Sequence, residues 1–388
     1  MAPSALAATN DSFAQPHIQK HHFEQEGGYA DIVRLWPANL DSPLAWEGAD
    51  FKSEAEYTYF LSSKEKLEIN IALDYFKSLE LDGSEISMVN FPLPNLGVKL
   101  LQFTWQLHET IGFFVLRGLN PEEHSQEDNI LIFLGISSYV GEKRGKQDEA
   151  GSMLMHIREA KKMTVEQELR PARDSNASLK FHSDLFCDIL ALQTRGCAAV
   201  GGNHIITSTY KVYNELAATR PDLLEVLARP DWNFDPRSLH AKPEQRPLLF
   251  YHGGHAILNF GRNRILGHDD PSDRKLNGIP TVSPLQMEAL ELVQELGEKY
   301  QLELPMQPGD LTFINNFGIL HSRDAFQDSE TDIRYLVRMW IKNEVLSWAL
   351  PPLLEVGNQK TYDEEAEEIW NILPAPRVKF DVRDRFSP

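Results

Sequence analysis

The sequence predicts a mixed α/β (α+β) protein: a double-stranded β-helix (jelly-roll) core with N-terminal helices and helical insertions. Three observations lead there. Helical periodicity dominates the first half of the chain, whereas many short strand-like runs crowd the second half. One or two helices interrupt those strands, and there is no internal repeat or heptad. The strand and helix alternation is too irregular for a doubly wound parallel sheet, which points to two stacked sheets with helical additions.

Residues 1–45 read as a weakly ordered N-terminal arm, and 46–388 as a single jelly-roll domain with helical additions. His21 and His22 in the arm read as solvated rather than metal-binding. Ser53 to Glu56 and Ser62 to Glu65 both fit the capping box of a helix start. The second opens a stretch in which Leu67, Ile71, Leu73, Tyr75 and Phe76 recur at roughly helical spacing. Pro92 and Pro94 end that pattern, and residues 96–108 form a further amphipathic stretch. Phe113 to Arg117, apolar and bounded by Gly112 and Gly118, reads as a buried strand, followed by a helix over 129–139.

Residues 143–180 are charged and irregular, with an exposed loop over 170–178. Strand-like runs follow at 189–194, 197–200 and 205–208, with a tight turn at Gly201-Gly202. Helices are expected over 208–218 and 221–228, a loop over 230–247, and strands over 247–252 and 256–260. Ser283, Pro284 and Gln286 start a helix that runs to Tyr300. Strands at 310–316 and 334–342 come next. The tail from Ser347 carries an acidic helix near 363–369 and a basic, apolar end.

An apolar share of 42% over 388 residues suits a large core. No run of about 18 apolar residues marks a membrane span. Met1 to Gln19 lacks the basic start and apolar centre of a secretory signal. Cys187 and Cys197 are the only cysteines, so no disulfide framework is implied; both read as small apolar residues, and a cytoplasmic setting is expected. The formal net charge of −19 disfavours nucleic acid and anionic membranes as partners. The expected partner is a small-molecule substrate, with a homo-oligomer left open. An anionic ligand must then be met by a few placed arginines.

The chemistry centres on Leu179 to Phe186, where His182 and Asp184 sit among apolar neighbours. On a strand, residues two apart share a face. That pair is two-thirds of the 2-His-1-carboxylate set that holds non-haem Fe(II) with open positions. His321, at the end of a strand-like run, is the candidate third ligand, since a jelly roll brings distant strands to one mouth. Arg334 and Arg338 are four apart on a probable strand and point inward together. A buried guanidinium needs an anion, and a small dicarboxylate supplies one by bidentate pairing. His252 and His255 also have a metal-like spacing, but Gly253-Gly254 makes a turn between them. A structural or substrate-pocket role is the better reading for that pair, with Asn259 and Arg262 plausible substrate contacts. Trp340 reads as core, and Arg323 as either a surface residue or a loop anchor.

Five segments run in a telling order: Phe181-His182-Ser183-Asp184, Gly201 to Ser208, Gly309 to Phe313 with Asn315-Asn316, Leu320 to Arg323, and Arg334 to Arg338. In this order the chain resembles the taurine dioxygenase family of Fe(II)- and 2-oxoglutarate-dependent oxygenases, within the clavaminate-synthase-like group. Its N-terminal helices resemble those of fungal-type members. The resemblance implies that His182, Asp184 and His321 bind the iron and carry the catalysis. It implies that Arg334 grips the distal carboxylate of 2-oxoglutarate, with Arg338 a second anchor for the co-substrate or for an anionic group of the substrate. Where many relatives place a Thr or Ser after the Gly-Gly turn, this chain has His204. Either His204 takes that contact, or Thr207 or Ser208 does, or it is absent.

The implied reaction consumes O2 and 2-oxoglutarate and releases succinate and CO2. It oxidises an unactivated C–H bond of a small metabolite, carboxylated or amino-acid-like, by hydroxylation, desaturation or ring closure. The competing readings are a catalytically silent 2-oxoglutarate-binding sensor and a zinc hydrolase using the same three ligands. The arginine pair speaks against the hydrolase, because hydrolysis has no need of a dicarboxylate clamp.

Overall fold

The computed structural model describes residues 33–160, 170, 172–235, 244–266 and 280–374. Its strands are β1 (Thr58–Phe60), β2 (Phe113–Arg117), β3 (Lys143–Gly145), β4 (Met155–Ile157), β5 (Leu179–His182) and β6 (Ile189–Gly196). They continue with β7 (Val200–Gly201), β8 (His204–Ser208), β9 (Trp232–Phe234), β10 (Glu244–Arg246), β11 (Leu249–His252) and β12 (His255–Leu258). The last are β13 (Leu302–Leu304), β14 (Leu311–Asn315), β15 (Ile319–Arg323), β16 (Phe326–Gln327) and β17 (Tyr335–Lys342). The larger sheet runs β1-β2-β14-β6-β17-β3, with β4 also on β17. The smaller runs β13-β8-β15-β5. Both are antiparallel apart from the β1–β2 pair.

Alternation along the strands sorts side chains into three apolar layers. Leu190 and Leu192 of β6, with Leu336 and Trp340 of β17, face the smaller sheet and meet its Ile206 and Ile319. Their neighbours Ile189, Ala191, Val337, Met339 and Ile341 face the other way, in one cluster with residues of the helices Ser63–Ser78, Leu96–Glu109 and Gln126–Ser137. On the far side, Phe181, Ile205 and Leu320 of the smaller sheet pack under the helices Thr209–Thr219, Pro221–Ala228 and Pro284–Tyr300. Each buried Leu, Ile or Phe contributes about 1.5–3 kcal/mol. A one-residue slip would turn every such side chain to the wrong face, so the register is strongly specified. The result is the jelly roll, with one opening between the sheets where β5, β8, β15 and β17 meet.

Several expectations are revised. Ser53 caps a single 3-10 turn, Glu54–Glu56, because β1 begins at Thr58. In the helix Ser63–Ser78, capped by Ser62, the buried face is Ile69, Leu73 and Phe76; Leu67, Ile71 and Tyr75 are exposed. The strand expected over 197–200 shrinks to the two residues of β7. Short strands β9 and β10 form within the span expected as a loop over 230–247, of which residues 236–243 lie outside the described residues. No helix forms over 363–369; the tail's helix is Pro352–Thr361, where Pro351 and Pro352 preset the first turn. Residues 1–32, with His21 and His22, and the basic end over 375–388 lie outside the described residues. Residues 33–45 are packed: Leu40 and Leu44 are buried, and Leu40 exchanges two hydrogen bonds with the Asn214 side chain.

Candidate metal centre and co-substrate cavity

β5 and β15 pair so that His182 lies directly opposite His321. One extra residue on β5 between the His321 and Arg323 partners makes a bulge, which turns both Leu179 and His182 inward. β5 ends at His182, so Asp184 reaches the same place by a different route from the strand alternation expected. It sits on the crossing from the smaller to the larger sheet, and side chains from elsewhere hold that crossing. Asn316 Oδ1 accepts from the Asp184 N–H at 2.8 Å, and its Nδ2 donates to the Asp184 and Cys187 carbonyls. Asn259 donates to the Asp184 carbonyl, and Ser183 donates to Leu258 O. Phe186, at φ 67°, takes a left-handed turn that L-residues seldom adopt, with Asn358 donating to its carbonyl.

Among the described residues, His182, Asp184 and His321 are the one set whose ligand atoms lie close enough to share an ion, all within 4.8 Å of one another. His182 Nδ1 lies 2.8 Å from the Lys180 carbonyl, which can only accept, so Nδ1 carries the proton and Nε2 presents a lone pair. Burial pushes both imidazoles below their ordinary pKa, His321 furthest, so both are in the neutral form that coordinates metals. His321 Nδ1 is buried without a hydrogen bond. Two neutral nitrogens and one carboxylate are the donor set of a non-haem iron site, so the residues fit the ion.

The Asp184 carboxylate is held from behind. Trp340 Nε1 donates to Oδ2 at 2.7 Å, and Arg338 Nη1 lies 3.2 Å from Oδ1 and 3.0 Å from Oδ2. Arg338 is fixed in turn by Gln147, whose Oε1 accepts from Nε and whose Nε2 donates to the Arg338 carbonyl. Arg338 therefore lies inward as expected, but its charge is matched by Asp184. Trp340 is buried as expected of core, and its indole N–H also has this polar task.

Arg334 faces the same cavity. Its Nε donates to the Gly202 carbonyl, and its Nη1 is buried with no hydrogen-bond partner. Burial, with Arg323 nearby, pushes it down to about 9. Gly202 has φ 75°, and a Cβ there would sit 2.7 Å from Arg334 Cδ, so only glycine lets the turn cradle this guanidinium. His204 lines the cavity with its ring edge-on to His321, centroids 6.1 Å apart. Burial and then Arg334 push His204 down to about 3, so it stays neutral.

Thr207 is not brought to the cavity. In β8 the residues paired with His321 and Arg323 are Ile206 and His204, whereas Thr207 pairs with Leu320 and faces the outer helices with it. Ser208 faces inward but lies at the far end of β8, where its Oγ donates to Leu44 O. His255 and His252 are paired across the β11–β12 hairpin and line no part of this cavity. Asn259 supports the Asp184 crossing from behind, and Arg262 pairs with Glu291 at 2.6 Å. Arg323 is a loop anchor, donating to the Ala172 and Ala177 carbonyls.

Arg173, on the 3-10 turn Ala172–Asp174, also lines the cavity and was missed because its region reads only as charged and irregular. Four arginines, Arg173, Arg323, Arg334 and Arg338, thus surround the cavity of a strongly acidic protein. Ile157, Leu179, Leu190, Leu192 and Leu336 supply its apolar wall.

A jelly roll with this donor set beside a buried, waiting arginine is the architecture of an iron- and 2-oxoglutarate-dependent oxygenase. A family model described as the taurine catabolism dioxygenase TauD, TfdA family, matches residues 76–340, and the chain belongs to that family. It is 34% identical over 365 residues to the taurine hydroxylase-like protein SAT17 of Stachybotrys chartarum, covering 90% of this chain and 93% of that one. It is 26% identical to the FR-33289 synthase of Streptomyces rubellomurinus, covering 81% and 93% respectively. Among solved structures, an asparagine oxygenase in complex with Fe(II), 3-hydroxyasparagine and succinate superposes with a TM-score of 0.58 at 15% identity, covering 74% of this chain and 93% of that one. The non-haem iron oxygenase OrfP, in complex with Fe and alpha-ketoglutaric acid, gives 0.52 at 16%, covering 74% and 94%. These two likenesses show the fold.

Proposed function

We propose that this chain oxidises a C–H bond of a small, anionic, amino-acid-like metabolite, with His182, Asp184 and His321 holding Fe(II) and Arg334 with His204 holding 2-oxoglutarate. The observation that carries this reading is the pairing of a neutral His, Asp, His set with a buried guanidinium whose Nη1 has no partner. An unpaired buried charge costs several kcal/mol, and a dicarboxylate bound there offsets it. Bound iron supplies the oxidising chemistry by activating O2 as 2-oxoglutarate is decarboxylated to succinate.

The protein's part is positional. Arg334 takes the distal carboxylate bidentately, and neutral His204 donates to the same end, where many relatives have a hydroxyl. Trp340 and Arg338 keep Asp184 in one orientation, and the apolar wall excludes water from the reacting face. Arg173, which lies 3.5 Å from Asp174, brings a further cation to the cavity wall, on the side open to an anionic group of the substrate. The asparagine oxygenase in complex with 3-hydroxyasparagine and succinate supports a substrate of this size and polarity. Residues 46–388 act as one oxygenase domain on this reading, and the two free cysteines suit the cytoplasm.

The test is succinate release from 2-oxoglutarate across a panel of carboxylated and amino-acid-like metabolites. Turnover by the wild type that is lost in Asp184→Ala, with the circular dichroism unchanged, is expected. Equal turnover in that variant would end the proposal.

A further inference from the structure

A second cleft, of about 370 Å³, shares no lining residue with the cavity at the triad. It lies beside the Ile319 end of β15, where Leu44 lines it and accepts from Ser208, the residue paired with Ile319. We infer that this cleft is a binding site for a small organic ammonium ion, recognised by Asp41, His108, Glu109, Tyr210, Tyr251 and His255.

The acceptors come first. His108 Nδ1 lies 2.8 Å from the Thr104 carbonyl, which can only accept, so Nδ1 carries the proton and Nε2 is a bare lone pair. His108 is 3% exposed, and its Nε2 has no hydrogen-bond partner among the described residues although the side chain lines the cleft. An acceptor on a buried side chain that opens onto a cleft is a ready partner for a ligand's N–H donor. The helix Leu96–Glu109 also ends here, so the partial negative charge of its C-terminus adds to the carboxylates of Glu109 and Asp41.

The wall behind them is built rather than loose. His255 stacks on Trp348 with centroids 4.0 Å apart and planes 9° apart, and Trp348 Nε1 donates to the His108 carbonyl. The Tyr210 hydroxyl and His255 Nδ1 share a hydrogen bond of 2.9 Å. Tyr210 and Tyr251 add aromatic surface, which attracts cations. A metal ion is the poorer occupant. Among the described residues only the His182, Asp184, His321 set brings three ligand atoms within reach of one ion. Acceptors spread around a cleft of this size suit an extended ion with several N–H donors.

The test is calorimetric titration of the full chain with 1,4-diaminobutane, with glutarate as the anionic control at matched ionic strength. Saturable binding of the diamine and none of glutarate is expected. Glu109→Gln should weaken it about tenfold or more, the size of effect seen on losing one partner of a close charge pair. Glu122→Gln, an exposed carboxylate elsewhere, should leave it unchanged. Asp184→Ala should also bind the diamine normally, which separates this site from the oxygenase centre. Absence of saturable binding, or equal loss in Glu109→Gln and Glu122→Gln, would overturn the inference, the latter by reducing it to general attraction to an acidic protein.

Discussion

The two flanks of the His, Asp, His set are built on opposite principles. Behind Asp184 every side-chain contact is closed: Trp340 and Arg338 hold the carboxylate, Gln147 holds Arg338, and Asn316 and Asn259 hold the backbone. Across the cavity, Arg334 Nη1 and His321 Nδ1 are buried without partners, and the His204 ring makes no hydrogen bond among the described residues. A saturated flank is scaffold, and its function is to keep one ligand in one orientation. An unsaturated flank stores unfavourable free energy that a ligand can release. The same residue type does both tasks: Arg338 already has its carboxylate inside the protein, and Arg334 lacks one. Their difference lies in the connecting segments opposite them, where Asp184 on the crossing after β5 meets Arg338 while Arg334 finds only the Gly202 carbonyl of the turn after β7.

The sharpest way to break this comparison is to remove the open cation. Arg334→Leu deletes the guanidinium whose Nη1 is buried without a partner. We expect 2-oxoglutarate binding to weaken by about 2–5 kcal/mol, a thirtyfold to several-thousandfold rise in Kd, with iron affinity little changed. A titration of the iron-loaded variant that matched the wild type would show that the open flank is not the co-substrate site.

A smaller effect is expected on the closed flank. Trp340→Phe keeps the ring but removes the donor to Asp184 Oδ2. Iron affinity should fall 10- to 100-fold, as for other residues that orient a metal ligand, with the fold intact. Competition with a chromophoric chelator measures this directly. If 2-oxoglutarate affinity fell instead of iron affinity, the assignment of the two flanks would be reversed.

The smallest effect tests a buried carboxylate further along the crossing, beyond the contacts that hold Asp184. Asp188 is buried, its Oδ1 has no hydrogen-bond partner, and its other oxygen accepts from Asn358. Burial raises its pKa to about 6, opposed by Lys342 and Asn358. An unfolded aspartate titrates near 3.9, so between about 4 and 6 the folded chain holds a proton that the unfolded chain has released. Stability should therefore fall as pH rises through that window and stay lower above it. Asp188→Asn should flatten the slope and raise stability at neutral pH by about 1–3 kcal/mol in urea unfolding. An unchanged slope would mean that Asp188 is already matched.

Much of this was readable from the sequence where period-2 alternation decides. Arg338 points inward because β17 alternates, with Leu336 and Trp340 on the same face, and Arg334, one residue before the strand begins, keeps that phase. The same rule, applied to β8, excludes Thr207 once His204 faces His321, three residues being an odd step. Asp184 reaches His182 and His321 by a route other than the strand alternation expected, since β5 stops at His182. Its position depends on Asn316, Asn259 and Trp340, whose contacts join distant parts of the chain and leave no local pattern. The helix Ser63–Ser78 misled for another reason: Leu67, Ile71 and Tyr75 are as periodic as Ile69, Leu73 and Phe76, and only the sheet beneath decides which face is buried. Arg173 was illegible because an irregular charged segment gives no phase from which to read a direction.

The measurement that bears most directly on the centre is an anaerobic titration of the protein with Fe(II) and 2-oxoglutarate, followed by visible absorption. A charge-transfer band that needs both additions, and that is lost in His321→Ala and in Asp184→Ala, is the predicted result. A band of equal strength in either variant, or none in the wild type, would contradict an iron centre formed by these three residues.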